Sequence, residues 1–424
     1  MTRSRVFRPS SLVLVLVVAL VTPSLSAVPV SSGTSGNPRG VAGAQLLPRP
    51  SAAPLLPPDS PSSLIATINL SRLPQTVNPY DTIFDPVNGI VYLSAVTPNL
   101  TEIQASSLRV LPTVPAGGPS VDLAFDARNG FLYVTGGSQN NTTVINTATN
   151  TIVTVIRTSG TPWGIAYDSA DGDLYVANDH SNNVSVINGT TNLVVDTIPV
   201  GSSSLHVAFN PRNGDVYVTH PGSNSVSVIN GTSNTVVATI PITTGQALGV
   251  AADPRTGEVY VASDCPNGVT VVNGSTNTAV NFLATGQTGF CSNPADLDTA
   301  RVIVDDQYSL LYVSDAFSGT VGILNESSQS LAATITVGRY PVPMALDSVD
   351  SRVFVAKYGS TNMSVLGRAT VPPSEATPTS TFLALTATQW FVVWVLTLVV
   401  AGAAVAVLGL RNRTKSTRGA PPKD

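Results

Sequence analysis

Residues 163–200 read WGIAYDSADGDLYVANDHSNNVSVINGTTNLVVDTIPV, and the pattern inside them decides the fold. Four short apolar runs, Trp163 to Asp168, Asp173 to Ala177, Val184 to Asn188 and Leu193 to Val200, alternate with polar segments. Val, Ile, Tyr and Thr dominate them, and branched and aromatic side chains pack well on a pleated surface. Asp171-Gly172 and Asn188-Gly189 fall at the hairpin turns, where Asx-Gly pairs supply the positive φ that tight hairpins demand. The stretch predicts a four-stranded antiparallel meander.

Working outward, the same order recurs along the chain. Its marker aromatics are Tyr92, Tyr133, Tyr175, Tyr217, Tyr260, Tyr312 and Phe354, with separations of 41, 42, 42, 43, 52 and 42 residues. A period near 40 with four strands per repeat belongs to propeller blades rather than to helical repeats. Seven markers therefore predict an all-β, seven-bladed β-propeller of four-stranded blades over residues 64–368. Charged residues are only 11% of the chain against 43% hydrophobic, as expected when each blade is covered on both faces by its neighbours. The seventh repeat stops after its third strand, Asn362 to Leu366, whereas Ser63-Leu64-Ile65-Ala66-Thr67-Ile68 matches the fourth-strand sequence Val236 to Ile240. The N-terminal strand Leu64 to Leu70 is thus expected to pair into the last blade, close the ring and hide its edges.

Tyr133-Val134-Thr135, Tyr175-Val176-Ala177-Asn178, Tyr217-Val218-Thr219 and Val226-Ser227-Val228-Ile229-Asn230 followed by Val236 to Ile240 carry a resemblance to a known family. Over roughly residues 64–368 the chain resembles the YVTN β-propeller repeat family. The resemblance implies the propeller fold and says little about activity. The family includes surface-layer and cell-envelope proteins, and its relatives include lactonases and amine dehydrogenase subunits. No repeat here spells the full motif, and blades one, six and seven drift furthest.

The two ends address the chain. Arg3, Arg5 and Arg8 precede an apolar run from Leu12 to Val21 and the small-residue stretch Ser24 to Ala27, which is a signal-peptide layout for residues 1–27. Residues 389–410 include an uncharged run from Trp390 to Leu410, about the length needed to span a bilayer. The tail, 411–424, carries Arg411, Arg413, Lys415, Arg418 and Lys423, and positive flanks stay cytoplasmic. A Pro/Ser/Gly-rich linker (28–63) and a Pro/Thr-rich stalk (369–388) separate these ends from the blades. The expected arrangement is a single-pass cell-membrane protein with an extracellular propeller. Residues 28–388 hold 13 Lys+Arg against 24 Asp+Glu, and an acidic exterior without a basic stripe argues against nucleic-acid partners.

Several side chains are candidates for chemistry. Ten Asn-x-Ser/Thr sequons lie between the ends, at Asn69, Asn99, Asn140, Asn141, Asn183, Asn188, Asn230, Asn273, Asn325 and Asn362. Asn188, Asn230, Asn273 and Asn325 occupy one equivalent turn, as glycosylation acceptors or simply as good turn chemistry. Cys265 and Cys291 both fall in the one repeat that is ten residues too long and flank its irregularity; outside the cell a disulfide between them is expected, the alternative being two free thiols. Asp85, Asp126, Asp168 and Asp253 sit at first-hairpin corners and fit turn formation better than calcium loops. No Gly-x-Ser-x-Gly, Cys-x-x-Cys-His or His-Glu-x-x-His pattern is present, and no cofactor is expected.

The three histidines, His180, His206 and His220, map to one face of blades three and four. Aligned inner strands put His206 where the other blades carry Asp81, Asp122, Gly164, Gly249, Arg301 and Pro343, at the point where each strand enters the central channel. Asp81, Asp122, His206 and Arg301 are therefore candidates for a polar ligand site. His180, His206, His220 and Asp179 are a candidate divalent-metal set, against the plainer reading of solvated loop histidines. The functional expectation is a non-enzymatic cell-surface binding or structural module of surface-layer type, with a surface protein or polysaccharide as partner. The alternative is an exported, lactonase-like hydrolase or lyase at the channel mouth.

Overall fold

The computed structural model of the chain describes residues 62–71, 78–264, 266–285 and 300–368. The expected signal peptide, stalk, transmembrane segment and basic tail lie outside the described residues, as do Cys265 and Cys291. Among the described residues no helix is long and apolar enough to cross a membrane.

Seven antiparallel sheets form seven blades. Blade three runs Pro162–Tyr167, Asp173–Asn178, Asn183–Asn188 and Leu193–Pro199 from the channel outward. Blade one departs from the expected regularity, because its outer strand is split into Arg109–Val110 and Val114–Pro115, both paired to Asn99–Gln104. Pro112 and Pro115 account for the break, since neither has an N–H to give a ladder.

The first hairpin of each blade is shaped by one carboxylate or amide. Asp85, Asp126, Asp168, Asp253 and Asp347 each accept, through Oδ1, the backbone N–H two residues on. The fifth residue of this turn is left-handed: Gly130 at φ 72° and Gly172 at φ 95° take it freely, while Ser309 and Ser351 are held there at 54° and 51°. Glycine recurs at that place because a Cβ disfavours positive φ. The Asn188, Asn230, Asn273 and Asn325 side chains do the same work in the turn between the third and fourth strands, accepting the backbone N–H of Thr191, Ser233, Thr276 and Ser328. Turn formation thus explains the repetition of these asparagines without reference to sugar.

The marker tyrosines join neighbours. Tyr133, Tyr175 and Tyr217 reach the outer turn of the next blade, where each hydroxyl donates to a glycine carbonyl and meets Asn192, Asn234 or Asn277 Oδ1 at 2.7 to 2.8 Å. Blade six makes the same kind of reach from Tyr312, whose hydroxyl lies 2.8 Å from Ser62 Oγ. Ser62 belongs to the closing strand.

That strand, Ser62–Asn69, pairs antiparallel with Asn362–Arg368 and sets Ile68 opposite Met363. It begins at Ser62, two residues before the boundary expected from the sequence. Ile68 and the following Leu70 are buried with Phe84, Val91, Phe354 and Met363, so the strand fills the seam between blades seven and one. Deleting residues 1–60 should leave the melting temperature unchanged. Deleting 1–71 removes Ile68, Leu70 and a whole strand pairing, and should lower it by about 10 °C or more. Equal melting of the two truncated chains would contradict this closure.

Candidate functional site at the channel mouth

The seven residues of the inner ring, Asp81, Asp122, Gly164, His206, Gly249, Arg301 and Pro343, each stand where a first strand meets the channel. Their identity follows how closely the blades approach one another. In blades one, two, four and six the ring residue donates its N–H to a hydroxyl thirteen residues on, namely Asp81 to Ser94, Asp122 to Thr135, His206 to Thr219 and Arg301 to Ser314, at 2.9 to 3.1 Å. Ser94, Thr135 and Ser314 in turn donate to the carbonyls of Val121, Trp163 and Val342 in the next blade. The hydroxyl acts as a spacer.

Blades three, five and seven carry alanine at the hydroxyl position, Ala177, Ala262 and Ala356. There Gly164 and Gly249 donate straight to the neighbouring carbonyls of Leu205 and Ala300, at 2.8 and 3.1 Å. A Cβ on Gly164 would stand 2.4 Å from Leu205 O and 2.7 Å from His206 Cα. The four hydroxyl-spaced blades all carry an ionisable side chain at the ring, whereas the alanine blades carry Gly164, Gly249 and Pro343.

The four meet in one network, as the sequence alignment expected. Arg301 donates to His206 Nδ1 at 2.5 Å and to the carbonyl of Tyr80 at 3.2 Å, linking blades six, four and one. Asp122 Oδ2 accepts the N–H of Ile165 at 3.1 Å and lies 3.8 Å from the same His206 nitrogen. The N–H of Leu123 is shared between Asp122 Oδ1 and Asp81 Oδ2, each at 3.1 Å. A cavity of about 140 Å³ lies among them, lined also by Ile165, Val207, Val250, Val302, Ile303 and Met344. Tyr80 and Trp163, the residues just before Asp81 and Gly164, pack edge to face with ring centroids 6.0 Å apart.

The two carboxyl groups are pushed in opposite directions. Withdrawal from water, then the charge of Asp122 and a hydrogen bond to it, raise Asp81 well above the ordinary carboxylate value of 3.8, against the opposing charge of Arg301. Burial also acts upward on Asp122, but the His206 ring, the Arg301 charge and the Asp81 carboxyl outweigh it and hold Asp122 well below that value. Both carboxyls cannot ionise cheaply side by side, and where they share one proton these opposed directions put it on Asp81.

The metal set expected from the histidines is not assembled. His180 is 73% exposed and pairs with Asp179 at 3.3 Å out on its loop. His220 is buried behind the ring with Nε2 2.9 Å from Ser227 Oγ, and burial pushes it down to about 4. Among the described residues no group of three or more His, Cys, Asp or Glu side chains is placed to hold a metal ion. The spacing that put the three histidines on one face does not bring their rings together. A signal that the alignment left unused was the pairing of each ionisable ring residue with a Ser or Thr thirteen positions later.

No family model matches the chain, and no curated protein matches it. Among solved structures the chain is similar to Kuenenia stuttgartiensis hydrazine synthase, with a TM-score of 0.60 and 20% sequence identity over 70% of this chain and 97% of that one. At that identity the likeness shows the propeller fold alone.

The opposed carboxyls give a signed pH dependence. Asp81, raised in the folded state, contributes stability that is complete below its ordinary value and is lost as pH rises through its folded value. Asp122, depressed, contributes stability above its ordinary value that is lost as pH falls through the folded one. Asp81→Asn, a mimic of the protonated acid, should melt no lower than wild type at pH 5 and abolish the decline with rising pH. Asp122→Asn breaks a buried charged cluster and should cost about 3 kcal/mol at neutral pH. Equal destabilisation by both at pH 5 would contradict the assignment of the proton to Asp81.

Proposed function

We propose that this chain is an exported, membrane-anchored propeller that binds a small polar ligand at the mouth of its central channel and works as a surface binding module rather than as an enzyme. The observation that carries this reading is the convergence of Asp81, Asp122, His206 and Arg301, from four different blades, on one cavity in a chain with only 11% charged residues. A ring meant only to pack could use Gly and Pro throughout, as blades three, five and seven do. Export and anchoring are supported by the Arg-led apolar N-terminus and by the run Trp390 to Leu410 with its basic flank. The acidic blades suit a surface protein or polysaccharide as the larger partner.

The second reading is a hydrolase or lyase at the same place. Its support is the pairing of Asp81, pushed toward the protonated form, with Asp122, pushed toward the ionised form, the division of labour that general acid–base chemistry uses. The two readings separate in one experiment. The full chain in detergent is titrated calorimetrically with sugars, lactones, zinc and calcium, beside His206→Ala and Asp122→Ala. Binding without turnover, weakened about tenfold or more in both variants, is the expected result. Lactone turnover that both variants lose would favour the enzyme. No heat from wild type, or the same heat from all three proteins, would overturn a site here.

A further inference from the structure

The ring side chains share the cavity with the backbone of the first strands. In blades two, four, five and six the ring carbonyl accepts a ladder bond from the second strand, Thr135 N–H to Asp122 O, Thr219 N–H to His206 O, Ala262 N–H to Gly249 O and Ser314 N–H to Arg301 O. The next residue of the first strand stands at a non-hydrogen-bonded pair, Leu123 opposite Val134, Ile165 opposite Val176, Val207 opposite Val218, Val250 opposite Val261, Val302 opposite Val313 and Met344 opposite Val355. In an antiparallel ladder such residues turn both N–H and C=O away from the partner strand. Here that direction is the channel. All seven first strands run the same way around the ring, so these N–H groups share one level, just below the ionisable side chains, and the carbonyls lie one step deeper.

Three of the inward N–H groups are already matched to carboxyls, Thr82 with Asp81, Leu123 with Asp81 and Asp122, and Ile165 with Asp122. Those of Val207, Val250, Val302 and Met344 belong to residues that line the cavity together with Arg301. An arc of backbone donors beside a guanidinium is the chemistry that seats a carboxylate. The opposite wall is the Asp122 carboxylate. Asp122 forms a pair with Asp81, and the two carboxyls together have more acceptor sites than the Leu123, Ile165 and Thr82 N–H groups, the His206 ring and their mutual hydrogen bond fill, which leaves capacity for a hydroxyl or ammonium. A volume of about 140 Å³ holds about five water-sized groups.

We propose that the ligand is a small carboxylic acid with a hydroxyl or amino group on the adjacent carbon, its carboxylate seated on the N–H groups of Val207, Val250, Val302 and Met344 beside Arg301 and its donor turned to Asp122. This inference rests on the binding reading above. It assigns the valines a role that their side chains do not reveal, because the donors are main-chain atoms.

Those donors are removable. Val302→Pro deletes one inward N–H that takes no part in the ladder, so the strand keeps its bonds; Met344→Pro does the same in blade seven and stands in if the first variant melts early. Val302→Ala is the control for side-chain volume. The full chain in detergent is titrated with glycolate, glycine, acetate and glycerol. Expected are glycolate or glycine binding about tenfold tighter than acetate, a loss of about tenfold in the proline variant but not in Val302→Ala, and loss of the preference over acetate in Asp122→Asn. Glycerol binding that Asp122→Asn abolishes, with no binding of the acids, would overturn the acid class and leave the channel site standing. Acid binding unchanged by the proline variants would overturn the backbone seat. Silence from all four ligands would overturn the acid class, and silence extending to the sugars and lactones would remove the binding reading as well.

Discussion

A ring of blades has no fixed radius until its last sheet is tied to its first, and the pairing of Ser62–Asn69 with Asn362–Arg368 is the contact that ties it. Antiparallel strands exchange bonds only in one register when one face is buried, and here Ile68 and Leu70 bury into the seam. The closing strand is also gripped from blade six by Tyr312 through Ser62. Two independent contacts therefore hold the same strand. The consequence reaches the channel, because Arg301 of blade six touches the carbonyl of Tyr80 in blade one, across the closing blade.

Within the closed ring, spacing is settled blade by blade. A serine or threonine relays a hydrogen bond between neighbours and leaves room for a side chain; a glycine makes the bond itself and leaves none. Polar groups in the channel are then a consequence of where the relays stand. Once present they must satisfy one another, since an unpaired charge inside a protein costs far more than it returns. Arg301, His206, Asp122 and Asp81 pair with one another and with backbone groups. Their mutual satisfaction makes the cluster rigid and, by the same token, leaves binding to the cavity and to the inward backbone.

Much of this was legible in the sequence. The blade count follows from seven aromatics at a near-constant period, because each must fill the same space between sheets. The closing strand was legible because the seventh repeat lacks an outer strand and the N-terminus offers one. The ring of Asp81, Asp122, His206 and Arg301 was legible because equivalent positions in a propeller converge on one axis. The split outer strand of blade one was not foreseen, although Pro112 and Pro115 are plain in the sequence, since the repeat pattern overrode local chemistry. His180 and His220 shared a face with His206 yet point to different surroundings, one to solvent and one to Ser227. Sharing a face fixes height along the strand but not the direction of the ring. The inward N–H arc was beyond sequence reading altogether, because it depends on ladder register and not on residue type.

The account stands on the claim that blades two and six meet electrostatically across a closed channel. A double-mutant cycle on the full chain, Asp122→Asn and Arg301→Gln singly and together, measures this by denaturant unfolding at neutral pH. The two residues lie far apart in sequence and interact only if the ring closes as described. The account predicts a coupling of about 1 kcal/mol or more, the double variant losing less than the two single losses combined. Losses that add to within about 0.5 kcal/mol would contradict it.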